Sequence, residues 1–177
     1  GTRFAAEGRA GADDERWVEL HDAAVAFLEE AGLQRYEVSN FARRGHRAVH
    51  NEHYWRARRW AGLGPSSHGW RPDGTRTANA ETFDAWAAGE PPALERPEGS
   101  SLFYELLWST LRHVDGVDVE SLARQTGIEV QAPSRLLADG ILRREKGHLL
   151  LSPTAFAISD AVVRAVCTAS CRTASPT

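Results

Sequence analysis

Breaks rich in proline and glycine do most to limit what this chain can fold into. Pro72-Asp73-Gly74, Pro91-Pro92 and Pro97 follow one another closely, and proline suits neither a helix interior nor a central strand. Before these breaks the apolar pattern mixes helix and strand; beyond them it is helical apart from one hairpin. The expectation is an α/β segment over residues 1–90, a linker at 91–100, a small α+β domain over 101–166 and a disordered tail at 167–177.

In the first part, Ala10 to Gly32 reads as one helix. Trp17, Leu20, Ala24, Phe27, Leu28 and Ala31 recur at three- and four-residue spacing, Asp13, Asp14 and Glu15 crowd the first turn, and Gly32 stops it. His21, beside the stripe, is expected to be a packed or half-exposed histidine. Only Leu33 and Gln34 separate the helix from a strand over Arg35–Phe41, with Tyr36 and Val38 on one face and Glu37 and Ser39 on the other. A helix, a strand and then a loop is the order in which a barrel enzyme delivers residues to its mouth at the C-terminal strand ends. A short helix around Glu81–Ala88 lies among the breaks.

In the second part, Leu102, Phe103, Leu106, Leu107, Thr110, Leu111 and Val114 form a helical face ended by Asp115-Gly116. Asp118 caps a second helix that Gly127 ends, and a third runs from about Glu129 to Asp139, with Leu136 and Leu137 inward and Gly140 just past its end. A hairpin follows, with Ile141–Arg144 and His148–Leu151 joined by Lys146-Gly147. Ser152-Pro153 opens the last helix, whose buried side carries Ile158, Val162 and Val166. Helices plus a two-stranded wing predict a winged-helix-like domain. Ser101–Leu150 carries six Lys/Arg against seven Asp/Glu, with Arg135 alone on the third helix, which Pro133 interrupts. That face lacks the charge duplex binding requires, so no DNA partner is expected.

The charge lies elsewhere. Phe41–Arg71 holds seven arginines and one carboxylate, Glu52, a formal +6 in a chain of net −3, so an anionic ligand is expected for this segment. His46, His50, His53 and His68 at spacings of four and three offer a zinc or iron site if the segment is helical. Tyr54, Trp55, Trp60 and Trp70 interleave with Arg56, Arg58 and Arg59. That pattern suits the bases and phosphates of a single-stranded nucleic acid, or a flat carboxylate-bearing macrocycle such as a porphyrin. Packing accounts for some of the tryptophans. The loop Gly62-Leu63-Gly64-Pro65-Ser66-Ser67 admits close backbone approach but is no phosphate loop, since no Gly-Lys-Ser/Thr follows.

At 177 residues, 42% apolar and 25% charged, the composition is that of a globular protein. No signal-peptide pattern and no apolar run near the length of a membrane span is read from the sequence, so a cytoplasmic setting and no transmembrane segment are expected. The absence of methionine predicts a fragment of a longer chain. Cys167 and Cys171 are too few for a structural zinc site and read as incidental tail thiols.

Three strings together resemble a known family. Tyr36-Glu37-Val38-Ser39-Asn40-Phe41-Ala42-Arg43, then His50-Asn51-x-x-Tyr54-Trp55, then Gly62-Leu63-Gly64-x-x-x-His68 look like the C-terminal half of the oxygen-independent coproporphyrinogen III oxidase-like radical SAM proteins. The likeness spans residues 1–166, including the opening Gly1–Ala6, which is similar to a linker before a barrel helix. The HN-x-x-YW string resembles the heme-chaperone branch more than the authentic oxidase.

The resemblance implies the C-terminal part of a partial (β/α)6 barrel followed by a small domain, with a [4Fe-4S] cluster and S-adenosylmethionine in the full-length protein only. The family's C-x3-C-x2-C triad has no match here; Cys167-x3-Cys171 lies at the other end, so this fragment is expected to be inactive alone and no catalytic residue is assigned. The carried-over roles are heme handling for His50, Asn51, Tyr54 and Trp55, with His50 as iron ligand, and propionate contacts for Arg56, Arg58 and Arg59. Gly62, Gly64 and His68 fall at the edge near S-adenosylmethionine. Ser66-Ser67 and Gly69 depart from the small residues and the serine that commonly flank that histidine. The function implied is heme binding and transfer to an acceptor that the sequence does not name. Oxidative decarboxylation of coproporphyrinogen and single-stranded nucleic-acid binding are the alternatives.

Overall fold

The computed structural model describes residues 13–173. It divides into two compact units, residues 1–47 and 48–177.

In the first unit, helix α1 (Asp14–Glu30) begins where the Asp13 side chain accepts a 2.8 Å hydrogen bond from the Arg16 backbone N–H, and it stops at Gly32, whose φ of +78° only glycine adopts without cost. The expected start at Ala10 lies outside the described residues. The apolar stripe is present but open to solvent: Trp17 and Leu20 are each 50% exposed and Phe27 is 70% exposed. His21 is half-buried, as expected, and stacks on Trp17 at 5.1 Å.

The expected strand over Arg35–Phe41 is instead a small hairpin, β1 (Gln34–Arg35) against β2 (Phe41–Ala42), paired Gln34 to Ala42 and Arg35 to Phe41. The reason lies in its middle. Arg35 folds back so that Nε donates to the Val38 carbonyl at 3.1 Å, and the Tyr36 N–H donates to the Asn40 carbonyl at 3.2 Å, which closes a turn through Ser39-Asn40. Tyr36 and Glu37, expected on opposite faces, are both buried.

The second unit opens with α2 (Val49–Trp55), which ends as Ala57 takes a φ of +50°. An antiparallel sheet follows, β3 (His68–Trp70), β4 (Arg76–Ala78) and β5 (Ala93–Glu95), with α3 (Phe83–Ala87) between the last two strands. The Thr82 hydroxyl caps α3. The stretch expected as a linker therefore contributes a strand to this sheet.

The remaining elements are α4 (Gly99–Thr110), β6 (Val117–Asp118), α5 (Val119–Thr126), α6 (Ser134–Ala138), β7 (Leu142–Glu145), β8 (His148–Leu151), a 3-10 turn over Pro153–Ile158 and α7 (Ser159–Thr173). Phe103, Leu106, Leu107 and Leu111 of the first helical face are buried, with Leu122, Leu142, Leu149, Phe156, Val162, Val163 and Val166 around them. Burying each such side chain is worth about 1.5–3 kcal/mol, so this cluster holds the domain together. Asp118 accepts from the Ser121 N–H at 2.9 Å, and Gly127 ends α5 at φ +74°, as expected. The hairpin turns on Lys146 (φ +48°) and Gly147 (φ +83°), the backbone a two-residue turn demands.

Four features differ from expectation. Helix α6 is shorter than 129–139 because Pro133 cannot continue a helix through it. The wing has three strands, ordered β6-β8-β7, because Val117 pairs with Leu149. Ile158 is 49% exposed, since it closes the 3-10 turn before the helix proper sets its face. Cys167–Thr173, expected in a disordered tail, continue α7. The Ser170 hydroxyl there accepts from the Gln131 N–H and donates to the Val166 carbonyl, each at 2.8 Å, so the last turns are tied to the core.

The stretch Pro153–Cys171 is long and apolar enough, by length and composition, to cross a membrane, where the sequence reading expected no such run. Phe156, Val162, Val163 and Val166 of this stretch are buried, and α7 packs on α4.

Candidate functional site

The HN-x-x-YW string forms α2, and helical spacing sets what each residue faces. His50 and Tyr54, four apart, share one side and meet edge to face with ring centroids 4.8 Å apart. Tyr54 in turn meets the edge of Trp60 at 4.8 Å, and Trp60 meets Trp70 at 5.7 Å. His50 is exposed at the open end of this aromatic row, while Asn51, Tyr54 and Trp55 are half-buried. Trp55 points elsewhere, its ring 5.9 Å from that of Trp108 on α4.

The other histidines do not join His50 in a metal site. His53 Nδ1 lies 3.2 Å from the Val49 carbonyl within its own helix, and His68 is exposed on β3. Among the described residues no group of three or more His, Cys, Asp or Glu is placed to hold a metal ion. The zinc reading of the histidine spacing therefore has no geometric support.

The arginines divide by what holds them. Arg56 donates to Glu52 at 3.2 Å and to Asp115 at 2.8 Å, so it fastens α2 to the loop after α4. His113, 1% exposed, completes this knot: its Nδ1 accepts from the Asp115 N–H at 3.1 Å and its Nε2 lies 3.6 Å from Glu52. Arg58 is exposed. The Arg59 guanidinium lies 3.7 Å from the centre of the Trp70 ring, and Arg76 lies 3.4 Å from that same ring and is paired with Glu105. Burial pulls the pKa of Arg59 and of Arg76 below the ordinary value; Glu105 opposes the shift at Arg76. Arg76, Trp108 and His113 escape the sequence reading. The first is set beside Trp70 only by the β3–β4 register, and the other two sit within an apolar helical pattern where nothing local marks them.

The glycine loop closes on itself. The Ser67 hydroxyl donates to the Gly64 carbonyl at 2.7 Å, Ser66 to the Glu81 carbonyl at 3.0 Å, and Asn79 Nδ2 to the Gly64 carbonyl at 3.0 Å. Gly62 is required by packing: a Cβ there would fall 2.6 Å from the His68 carbonyl carbon. That carbonyl accepts the Trp60 indole N–H at 3.0 Å. Gly64, with φ +91°, has open space where a side chain would point. Gly62, at the start of the loop, lines a cleft of about 480 Å³ together with Arg59, Trp60, Trp70, Arg71 and Asn79 among others. Among the described residues no carboxylate lines it.

No family model matches the chain. It is 32% identical over 161 residues to heme chaperone HemW of Mycobacterium tuberculosis, which covers 88% of this chain and 40% of that protein. It is 42% identical over 81 residues to radical S-adenosyl methionine domain-containing protein 1, mitochondrial, of Bos taurus, which covers 42% of this chain and 18% of that protein. The chain thus spans two fifths or less of the length of these relatives. Among solved structures, it matches coproporphyrinogen III oxidase from Escherichia coli, a radical SAM enzyme, with a TM-score of 0.62 at 14% identity, over 94% of this chain and 44% of the other. This chain is therefore a homologue of the HemW heme chaperones and of the mitochondrial radical S-adenosyl methionine domain-containing proteins, with a fold of the coproporphyrinogen III oxidase type.

Proposed function

We propose that this chain is the C-terminal part of a cytoplasmic heme-chaperone-like radical SAM protein that binds heme and passes it to an acceptor. The observation that carries the reading is the exposed His50 imidazole at the end of the row His50–Tyr54–Trp60–Trp70, beside arginines. The residues fit the group. A neutral imidazole nitrogen is an iron ligand, aromatic rings pack on a tetrapyrrole face, and guanidinium groups pair with propionates. In this reading His50 ligates the iron, Tyr54 flanks the ring, Asn51 lies beside the ligand on the same helix, and Arg58 and Arg59 offer carboxylate contacts; Trp55, expected to flank the ring as well, packs against Trp108 instead. Arg56, also expected as a carboxylate contact, is engaged by Glu52 and Asp115 and positions α2 instead.

The heme itself supplies only a coordination position and a flat apolar surface with two anionic arms. The chain's residues bind it, orient it and leave one face of His50 open to solvent, which suits a ligand that has to leave.

The residues present do not fit the iron–sulfur cluster, because the chain has two cysteines, Cys167 and Cys171, and both lie in its last helix. We read the cluster and S-adenosylmethionine as belonging to the full-length protein, residues 1–90 as the end of a partial (β/α)6 barrel, and 101–166 as a winged-helix-like domain. Gly62, Gly64 and His68 would form the edge near S-adenosylmethionine, with both serine hydroxyls already engaged, Ser67 on Gly64 and Ser66 on Glu81.

Titrating hemin into the chain and into His50→Ala tests the reading through the Soret band. We expect a shifted, saturable band for the native sequence and weaker binding with a displaced band for the variant. Identical spectra and affinity would remove His50 from the site.

A further inference from the structure

The heme reading gives the carboxylates to Arg58 and Arg59, and the cleft beside the aromatic row, which Arg59 lines and Arg58 does not, refines that assignment. Of the arginines in the basic segment, Arg56 is neutralised by Glu52 and Asp115, and Arg76, from the neighbouring strand, by Glu105. Arg59 and Arg71 both line the cleft, and neither is in an ion pair with a described residue. Asp73, the acidic group nearest in sequence, accepts from the Thr75 N–H at 2.9 Å in its own turn, and its charge acts on Arg59 and Arg71 without an ion pair to either.

The walls are fixed before any ligand arrives. Trp70 is buried between the guanidiniums of Arg59 and Arg76, at 3.7 Å and 3.4 Å, which holds Arg59 in place. Asn79, also in the lining, is held by donating to Gly64 and Ser67, each at 3.0 Å. Groups held in their binding positions lose little entropy when a ligand docks. Trp60 is shared: it lines the cleft and touches Tyr54, which touches His50.

We propose that this cleft is the seat of the two propionate carboxylates of the tetrapyrrole, with Arg59 and Arg71 as their partners and Trp60 as the wall that continues the ring-binding row. The inference rests on the heme reading and extends it to Arg71 and to a ligand class. The site selects flat apolar molecules with a paired anionic edge, and it discriminates against neutral ones.

The test compares hemin with its dimethyl ester, which keeps the iron and the ring and lacks the free carboxylates. Arg59→Gln and Arg71→Gln are each expected to weaken hemin binding about tenfold, the loss of one charge-assisted contact of about 1.4 kcal/mol, with the Soret position unchanged because His50 is untouched. Ester binding is expected to be the same in both variants as in the native sequence, and Arg124→Gln, on the exposed face of α5, is expected to alter neither ligand. Arg71 is exposed, so Arg71→Gln decides the matter if Arg59→Gln fails to fold. Unchanged hemin affinity in Arg71→Gln, or an equal loss for hemin and ester, overturns the proposal while leaving the heme reading intact. Failure of the native chain to bind hemin at all overturns both.

Discussion

Gly116 and Gly127 offer a controlled experiment on what holds the C-terminal domain in shape. Both have positive φ, +64° and +74°, so an alanine at either pays the same left-handed penalty, about 1–2 kcal/mol. Their surroundings differ. A Cβ at Gly127 meets nothing within 4 Å, whereas one at Gly116 would press on the Leu149 carbonyl and lie 3.0 Å from the Leu150 Cα, both backbone atoms of the central wing strand. Backbone cannot swing aside as a side chain can. Relieving the contact means displacing β8 from β6, and overpacking of this kind adds about 1–3 kcal/mol. Gly116→Ala is therefore expected to cost about 3 kcal/mol and Gly127→Ala about 1 kcal/mol. In thermal unfolding followed by circular dichroism these correspond to drops of about 6–12 °C and 2–4 °C. Equal shifts for the two variants would refute the packing of the Asp115-Gly116 turn on β8.

Other expectations follow from the same geometry. Leu149→Ala empties a fully buried site and is expected to cost about 2–5 kcal/mol in urea unfolding, whereas Leu63→Ala, 87% exposed, is expected to leave stability unchanged. Asp115→Asn removes one anchor of Arg56, and hemin affinity should fall through a loosened α2 while the Soret position of the bound form stays put; a displaced band would place Asp115 nearer the iron than the structure does. Burial, with the neighbouring Cys171 thiol 3.8 Å away, raises the Cys167 pKa to about 11. Thiolate appears only as pH rises toward that value, so alkylation of Cys167 should be slow at neutral pH and accelerate through pH 9–11; fast labelling at pH 7 would contradict the raised pKa.

Helix ends and tight turns are legible in this sequence because single residues set them: Asp118 as a cap, Gly32 and Gly127 as stops, Lys146-Gly147 as the hairpin; Asp13, read as part of the first turn, is the cap of α1 instead. Pro133 shows the limit. Its effect is certain, but how much helix survives beyond it depends on packing. Arg35–Phe41 fails because alternation over seven residues is also what a hairpin with a buried Tyr36 displays, and the deciding bonds come from the Arg35 side chain. Val117–Asp118 is too short for any period to register.

At the site, the sequence marks His50, Tyr54 and the arginines as a group, because helical spacing and composition are local. Which arginine is free is not local. Arg56 is bound by Asp115, distant in sequence, and Arg76 reaches Trp70 only through strand pairing. The aromatic row is likewise an outcome of the β3–β4 sheet, which carries Trp70 back to Trp60.

The central claim is that His50 is the iron ligand, and chemical rescue tests it most directly. His50→Gly leaves the row Tyr54–Trp60–Trp70 in place and removes only the imidazole. The account expects hemin bound to His50→Gly to show a displaced Soret band that returns to the native position on adding free imidazole at millimolar concentration. A His50→Gly spectrum identical to the native one before imidazole is added would contradict it.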